Sequence, residues 1–191
     1  MIAIIILAAG NSSRLGQPKQ LLEYQGKSLL KNSANQALAI NDAIVIVVSG
    51  AENTSLEKEL QNTKIILCHN NDWQLGMSSS IRTGLKKALE VQPQISACII
   101  SVCDQPFISE NIFKTLVLKH KSSDKIIASY YAETAGTPVL FPKKYFPELL
   151  NLTGNEGAKK LLNATKELFL VNFEKGEIDI DTMEDYQKLI T

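Results

Sequence analysis

The sequence has few residues of the kinds that mark several common classes of protein. It contains two histidines and three cysteines in 191 residues, and no serine–histidine or cysteine–histidine combination indicates a nucleophile with its own base. Twenty basic residues balance twenty acidic ones, and no apolar run approaches the roughly 20 residues that span a bilayer. Neither nucleic acid nor a membrane is therefore an expected partner, and any affinity for an anion must be local.

The three cysteines, Cys68, Cys98 and Cys103, lie in or beside apolar runs, and their spacing matches no zinc motif. We expect buried, unreactive thiols and a cytoplasmic protein. The apolar stretch at residues 1–10, MIAIIILAAG, lacks the basic leader of a signal peptide. We interpret it as a buried strand.

What the sequence does contain is an alternation of apolar runs and amphipathic segments. The runs are rich in Ile and Val and lack polar alternation, which predicts strands covered on both faces, at residues 2–7, 43–49, 64–68, 97–103 and 125–131. Apolar residues at helical spacing lie between them, beginning near Leu29, Leu56, Ile81 and Ile112. This order predicts an α/β fold, a three-layer sandwich with a mostly parallel, Rossmann-like sheet.

The rhythm changes after Gly136. A short strand at 137–141, helical turns near Pro147 and Ala158, a strand at 166–173 and a final helix beginning near Thr182 follow. No repeat, low-complexity tract or linker interrupts the chain. The prediction is a single domain over residues 1–191.

Residues 7–20, LAAGNSSRLGQPKQ, leave the first predicted strand through a loop suited to an anion. Gly10 and Gly16 let backbone N–H groups approach an anion without a Cβ in the way, and Arg14 and Lys19 can add charge-assisted bonds to phosphate oxygens. The spacing matches neither G-x-G-x-x-G nor G-x-x-x-x-G-K-[ST]. From the loop alone, a glycine-rich surface turn with two solvated cations is the alternative.

Asp104 directly follows the apolar run at 97–103 and precedes Pro106. Ligands of open α/β sheets sit at the carboxyl ends of the strands, and Mg²⁺ prefers hard oxygen ligands. Asp104 is therefore a candidate magnesium ligand. The alternative is an aspartate that only caps the next turn.

The stretch LAAGNSSRLGQPKQLL resembles the signature of nucleotidyltransferases with the MobA-like fold, and among them most closely that of molybdenum cofactor cytidylyltransferases. Four further stretches follow in that family's order: NDWQLGMSSSIRTGL, VCDQPFIS, GTPVLFP with GNEGAKKLL, and IDIDTMEDY. The resemblance implies a nucleoside triphosphate held by the first loop and Mg²⁺ on Asp104. It also implies transfer of a nucleoside monophosphate with release of pyrophosphate.

The same resemblance implies catalytic roles for Arg14, Lys19 and Asp104, and a nucleotide site made of Leu7, Ala8, Ala9, Gly10, Arg14, Lys19, Gly76 and Ser80. Plain helix capping is the alternative for the serines around Ser80. The expected metal ligands are Asp104 and Asp179. The residues themselves do not separate Asp179 from Asp181, and a structural helix start, with Thr182 and Asp185 as a capping box, is the alternative there.

The choice of nucleotide depends on one position. Guanylyl-transferring relatives typically read L-A-G-G in the first loop, whereas this chain has alanine at Ala9. A methyl group there would crowd a purine, so the resemblance favours CTP. A phosphate acceptor is already ionised at neutral pH and needs no general base, which fits the scarcity of histidine.

The implied acceptor is molybdopterin carrying molybdenum, and the implied protein partner is a molybdoenzyme or its chaperone. However, GNEGAKKLL has Asn155 and Lys159 where the cytidylyltransferases commonly have aspartate and arginine, which leaves the acceptor open. One alternative is transfer to a sugar or polyol phosphate. Another is a non-catalytic module that binds the nucleotide or the cofactor, although the presence of Arg14, Lys19 and Asp104 argues against it.

Overall fold

Strand β1 (Ile2–Ala8) lies at the centre of the main sheet, and all of its residues are buried. It pairs in parallel with β4 (Ala43–Ser49) on one side and with β6 (Ala97–Val102) on the other. The computed structural model describes residues 1–10, 12, 15–154, 157–165 and 168–191. The apolar run at the start of the chain is thus a central strand, as the sequence predicts.

The sheet has seven strands, of which the others are β5 (Ile66–His69), β7 (Ile126–Tyr131), β8 (Thr134–Pro142) and β9 (Leu168–Asn172). Their order is β5-β4-β1-β6-β8-β7-β9. Strand β8 is antiparallel to both of its neighbours, and all other described pairs in this sheet are parallel. The predicted mostly parallel sheet is confirmed.

Helices cover both faces of this sheet. Ile2, Ile4 and Ile6 face a layer made of α1 (Leu29–Leu38), α2 (Asn53–Glu59) and α4 (Glu110–Lys121). Ala3 and Ile5 face the opposite layer, which is made of α3 (Met77–Val91), α5 (Phe146–Leu150) and α6 (Lys159–Ala164). The predicted three-layer sandwich is confirmed. Among the described residues, no helix combines the length and apolarity needed to cross a membrane.

A third, smaller apolar cluster brings the end of the chain to the first loop. It joins Leu15 and Leu22 to Ile180, with partly buried residues of α7 (Met183–Ile190) packed against them. The hydroxyl group of Tyr186 donates to the carbonyl oxygen of Glu23 at 2.8 Å. Glu23 belongs to a two-stranded hairpin of β2 (Glu23–Tyr24) and β3 (Lys27–Ser28), which the sequence pattern did not predict.

The start of α7 follows the predicted capping box. The Thr182 hydroxyl accepts from the backbone N–H of Asp185 at 3.2 Å, and the Asp185 carboxylate accepts from the backbone N–H of Thr182 at 2.8 Å. Both donors would otherwise lack helical partners. The helical turns predicted near Pro147 and Ala158 are α5 and α6. The last strand ends at Asn172, one residue before its predicted end, and the first two residues of the prediction, Lys166 and Glu167, lie outside the described residues.

Candidate active site

A cleft of about 320 Å³ opens at the carboxyl ends of β1 and β6. Eight of the residues singled out from the sequence line it: Leu7, Ala8, Ala9, Gly10, Lys19, Gly76, Ser80 and Asp104. Arg14, which carries a predicted catalytic role, lies outside the described residues. The described residues of the two segments that the resemblance assigned to the nucleotide therefore meet in one place, together with Asp104, an expected metal ligand.

Lys19 connects two carboxylates at the rim of this cleft. Its Nζ lies 2.5 Å from Oδ2 of Asp104 and 2.8 Å from Oδ1 of Asp181. The Lys19 and Asp104 side chains each expose 17% of their surface, whereas that of Asp181 exposes 56%. Burial alone would lower the pKa of Lys19, but the charge of Asp104 and hydrogen bonds to both carboxylates outweigh it and raise the pKa. Lys19 therefore carries its positive charge at neutral pH.

The segment that carries Asp179 and Asp181 is held against the end of β6. The backbone N–H of Ile180 donates to the carbonyl oxygen of Asp104 at 3.1 Å. The buried side chain of Gln105 donates from Nε2 to the carbonyl oxygen of Gly176 at 2.7 Å. These two bonds explain why carboxylates more than 70 positions apart in the sequence lie close together.

The two candidate aspartates of this segment have different surroundings. Asp181 binds Lys19, whereas Asp179 lines a neighbouring cavity. Although Asp179 is an exposed residue, partial desolvation of its carboxyl group and the negative charges of Asp104 and Asp181 raise its pKa to about 7. The charges of the other two carboxylates thus act on Asp179, and the described contacts include no ion pair between Asp179 and a cation.

The carboxylates fit a divalent cation that is partly held by a substrate. Oδ1 of Asp104 is buried and has no hydrogen-bond partner among the described residues, so one hard oxygen remains for a further ligand. Three carboxylates face one ammonium group, which leaves an excess of negative charge. In the described part of the chain no three His, Cys, Asp or Glu side chains form a complete metal cage. Mg²⁺ is commonly held by one or two carboxylates and substrate phosphates, so such a cage is not required.

Asn70 organises the start of α3, and sequence reasoning did not single it out. Its side chain is buried and donates to the hydroxyl groups of Ser79 and Ser80 at 2.8 and 3.0 Å. The N-cap residue of α3 is Gly76, and no side chain caps it. Side-chain N-capping, the alternative explanation for the serines, is therefore wrong; they pack the helix start against the end of β5.

Ala9, Gly50 and Trp73 meet where the cleft ends beside β4. A Cβ atom at Gly50 would lie 2.5 Å from the carbonyl oxygen of Ala9 and 2.9 Å from the Cβ atoms of both Ala9 and Trp73. Only glycine fits such an approach. The Ala9 methyl group thus packs beside Gly50, and Trp73 lines the cleft next to it. Gly50 and Trp73 carry no chemical group that a sequence pattern would have singled out.

A second cavity of about 470 Å³ adjoins the cleft, and Met77 lines both. Tyr131, Thr137, Lys159 and Asp179 are among its other lining residues. The N–H of Ser78 donates to the carbonyl oxygen of Gly154 at 3.4 Å, and Arg82 donates to the carbonyl oxygen of Leu152. These bonds tie the glycine-bearing loop before α6 to the start of α3. Asn155 of that loop lies outside the described residues.

Comparison with known proteins finds relatives that align with nearly the whole chain. Purine catabolism protein PucB of Bacillus subtilis is 30% identical over 195 residues, covering 95% of this chain and 92% of that protein. Molybdenum cofactor cytidylyltransferase of Escherichia coli is 26% identical over 187 residues, covering 97% and 93%. This chain is similar to both and spans nearly the whole of each.

Solved structures share the same fold. Rv0371c from Mycobacterium tuberculosis H37Rv matches with a TM-score of 0.82 and 26% identity, covering 99% of this chain and 97% of that one. A structure of Rv0371C in complex with manganese matches with a TM-score of 0.76 and 24% identity, over the same shares of the two chains. The family model described as the MobA-like NTP transferase domain matches residues 4–168, from β1 to the first residue of β9. The chain therefore belongs to the MobA-like NTP transferase family.

Proposed function

We propose that this protein is a cytidylyltransferase that moves CMP from CTP to the phosphate of molybdopterin carrying molybdenum and releases pyrophosphate. The observation that carries the proposal is the convergence of the first loop, Lys19 and Asp104 on one cleft. A cation and a hard oxygen ligand for Mg²⁺ beside an anion-binding loop are suited to transfer between phosphates. The E. coli relative of that name, which aligns over 97% of this chain, supports the choice of reaction.

In the proposed reaction the chain binds and orients the phosphates and performs no proton transfer. An ionised acceptor phosphate attacks the α-phosphorus of CTP, the bond to the β-phosphate oxygen breaks, and pyrophosphate leaves with the electron pair. No general base is required, because the acceptor is an anion at neutral pH. Lys19 would stabilise the charge on the leaving pyrophosphate, a role in which one preorganised donor is worth about 3 kcal/mol. We assign the same task to Arg14.

We propose Mg²⁺ as the cofactor, held by Asp104 and Asp179. The unpartnered Oδ1 of Asp104 and the raised pKa of Asp179 both fit a site that lacks positive charge. When bound, Mg²⁺ acts as a Lewis acid toward the phosphates and as a template for their alignment. The manganese complex of a protein with this fold supports a divalent ion of this kind. Asp181 then serves Lys19 and not the metal.

We place the acceptor in the second cavity. It shares Met77 with the nucleotide cleft and Asp179 with the carboxylate cluster, so an acceptor phosphate there can reach the α-phosphorus. Lys159 offers a cation for the acceptor, and Tyr131 and Thr137 offer hydroxyl groups to a polar ring. Lysine in place of arginine provides a point charge and cannot form the bidentate hydrogen bonds that arginine makes to a phosphate. That substitution makes a sugar or polyol phosphate the competing class of acceptor.

The proposal includes CTP as the nucleotide and the cytoplasm as the location. Ala9 lines the cleft and its methyl group packs beside Gly50, and we propose that it reduces the room for a purine. Cys68, Cys98 and Cys103 are unpaired thiols, which is typical of proteins in a reducing compartment. A molybdoenzyme or its chaperone remains the proposed protein partner for the product.

An assay of pyrophosphate release tests the proposal. CTP, GTP, ATP and UTP are each combined with molybdopterin carrying molybdenum, with a sugar phosphate and with a polyol phosphate. We expect release with CTP and the molybdenum-bearing pterin, and release that is slower by roughly 10²-fold or more from the Asp104→Asn variant. Release with a sugar or polyol phosphate instead would identify the competing acceptor class. Nucleotide binding without release for any acceptor would indicate a binding module.

A further inference from the structure

Gln20 follows Lys19 directly and exposes only 1% of its surface. Its Nε2 donates to two carbonyl oxygens of the first loop, that of Ala8 at 2.9 Å and that of Gly10 at 2.8 Å. Its Oε1 accepts from the hydroxyl group of Ser12 at 3.4 Å. One buried amide group therefore touches the loop at three positions, on both sides of Ala9.

The carbonyl groups of Ala8 and Gly10 are poorly suited to contact with a phosphate, because their oxygens carry partial negative charge. Ala8 and Gly10 line the cleft, and a carbonyl oxygen turned toward an anion would repel it. The C=O and N–H bonds of a trans peptide point in opposite directions. Holding the Ala8 oxygen on Gln20 therefore directs the N–H of Ala9 away from Gln20.

The same side chain connects the loop to Lys19. The backbone N–H of Lys19 donates to the Ser12 hydroxyl group at 2.9 Å, and that hydroxyl group donates in turn to Gln20. Lys19 and Gln20 belong to one short 3-10 turn, Lys19–Leu21. Fixing the Gln20 side chain thus fixes both the loop carbonyls and the backbone that carries the Lys19 ammonium group.

We propose that Gln20 is a positioning residue for the triphosphate, which withholds the carbonyl oxygens of Ala8 and Gly10 from the phosphates and holds the loop N–H groups toward them. This inference rests on the proposed function, because it takes the first loop to be the triphosphate site. A purely structural glutamine would stabilise the loop without discriminating between charged and uncharged ligands. Phosphate-selective binding is therefore the property that separates the two roles.

Two substitutions test the role of the amide donors. Gln20→Met keeps the length of the side chain and removes both donors. Gln20→Glu keeps the shape and places a negative charge beside the two carbonyl oxygens. Gln36→Met is the matched control, because Gln36 is a partly buried glutamine that accepts from the backbone N–H of Glu110 at 2.8 Å and does not line the cleft.

The measurement is calorimetric binding of inorganic tripolyphosphate, CTP and cytidine to the full chain, with the melting temperature of each variant. We expect Gln20→Met to weaken binding of tripolyphosphate and CTP about tenfold, the factor that corresponds to one buried hydrogen bond. Gln20→Glu should weaken it further. Cytidine binding should change much less, and Gln36→Met should leave binding of all three ligands unchanged even where it lowers the melting temperature.

Equal losses for CTP and cytidine, or unchanged tripolyphosphate binding in a folded Gln20 variant, would overturn the inference and leave the proposed function standing. Failure of the wild type to bind either CTP or tripolyphosphate would instead remove the proposed function itself. If neither Gln20 variant folds, the side-chain amide protons of Gln20 in the wild type provide a second measurement by NMR. They should stay protected from exchange when tripolyphosphate is bound, and loss of that protection would overturn the inference.

Discussion

The ammonium group of Lys19 lies 2.5 Å from Oδ2 of Asp104, so an ion pair joins the first loop to the end of β6. Both side chains are mostly buried, and Asp181 supplies Lys19 with a second carboxylate at 2.8 Å. The phosphates of a nucleotide carry more negative charge than either carboxylate. A triphosphate in the cleft would therefore compete with Asp104 and Asp181 for the same ammonium group.

Asp104→Asn is expected to reduce nucleotide transfer by roughly 10²-fold or more while the fold is retained. Asparagine has nearly the same volume as aspartate, but it removes the charge that pairs with Lys19 and a hard oxygen ligand. Pyrophosphate release at saturating Mg²⁺ measures the loss, and circular dichroism checks the fold.

Asp181→Asn is the matched control for Asp104. Asp181 is more exposed, and its removal leaves the Lys19–Asp104 pair in place, so we expect a loss of less than about tenfold for an exposed ion pair. Retained turnover in Asp104→Asn, or equal losses in the two variants, would contradict the central role of Asp104.

Lys19→Met should weaken binding of CTP much more than binding of cytidine, because on the proposed function the ammonium group contacts the phosphates and not the nucleoside. Loss of one preorganised cation at the leaving group corresponds to about 3 kcal/mol, or roughly 10²-fold in turnover. Calorimetry with the two ligands measures the first effect, and single-turnover kinetics measures the second. Lys87→Met, which removes a lysine bound to Glu90 outside the cleft, is the control. If CTP and cytidine lose affinity equally, Lys19 serves the fold and not the phosphates.

The elements that the sequence predicted are those whose cause is local. An uninterrupted run such as residues 2–7 needs cover on both faces, and this requirement alone predicts a central strand. Thr182 and Asp185 bind each other's backbone N–H groups at one helix end, so their three-residue spacing is enough to predict the capping box. The first loop and Asp104 were found because both follow apolar strands, and ligand sites of open sheets lie at that edge.

The contacts that the sequence did not predict depend on how distant segments meet. Gln20 belongs to no helical or strand pattern in the sequence. Its hydrogen bonds to the carbonyl oxygens of Ala8 and Gly10 become evident only when the path of the first loop is known. The difference between Asp179 and Asp181 arises because an irregular segment turns one carboxylate toward Lys19 and the other toward the second cavity. Asn70 binds the start of α3, and Met77 is the first residue of that helix. No local sequence pattern predicts that this helix start lies beside the cleft.

Cys98 and Cys103 should be unreactive toward a thiol reagent in the folded protein at pH 8. Burial, with the nearby charge of Asp104 as a lesser cause, raises the pKa of Cys103 to about 12, and burial also raises the pKa of Cys98. The reactive thiolate is therefore scarce at both positions. Burial also raises the pKa of Cys68, but this thiol is only partly buried and should react before the other two.

Ellman's reagent, applied before and after unfolding in urea, measures this difference. We expect one accessible thiol in the native protein and three after unfolding, with the native signal removed by Cys68→Ala. Rapid labelling of Cys103 in the folded state would mean that the end of β6 opens beside Asp104.

Ala9→Gly addresses the choice of nucleotide. Ala9 exposes 7% of its surface, lines the cleft and packs its methyl group beside Gly50. On the proposed function this methyl group borders the bound base, so its removal should give a purine more room and decrease the discrimination against GTP. A methyl-sized change in a pocket is worth about 1–3 kcal/mol, or roughly 10–200-fold, so a partial loss of CTP preference is expected and not a full switch.

Competition between CTP and GTP in one mixture gives the ratio of transferred nucleotides, and Ala51→Gly, at an exposed residue outside the cleft, is the control. A wild type that prefers GTP, or a ratio that Ala9→Gly leaves unchanged, would show that Ala9 does not set the choice of nucleotide.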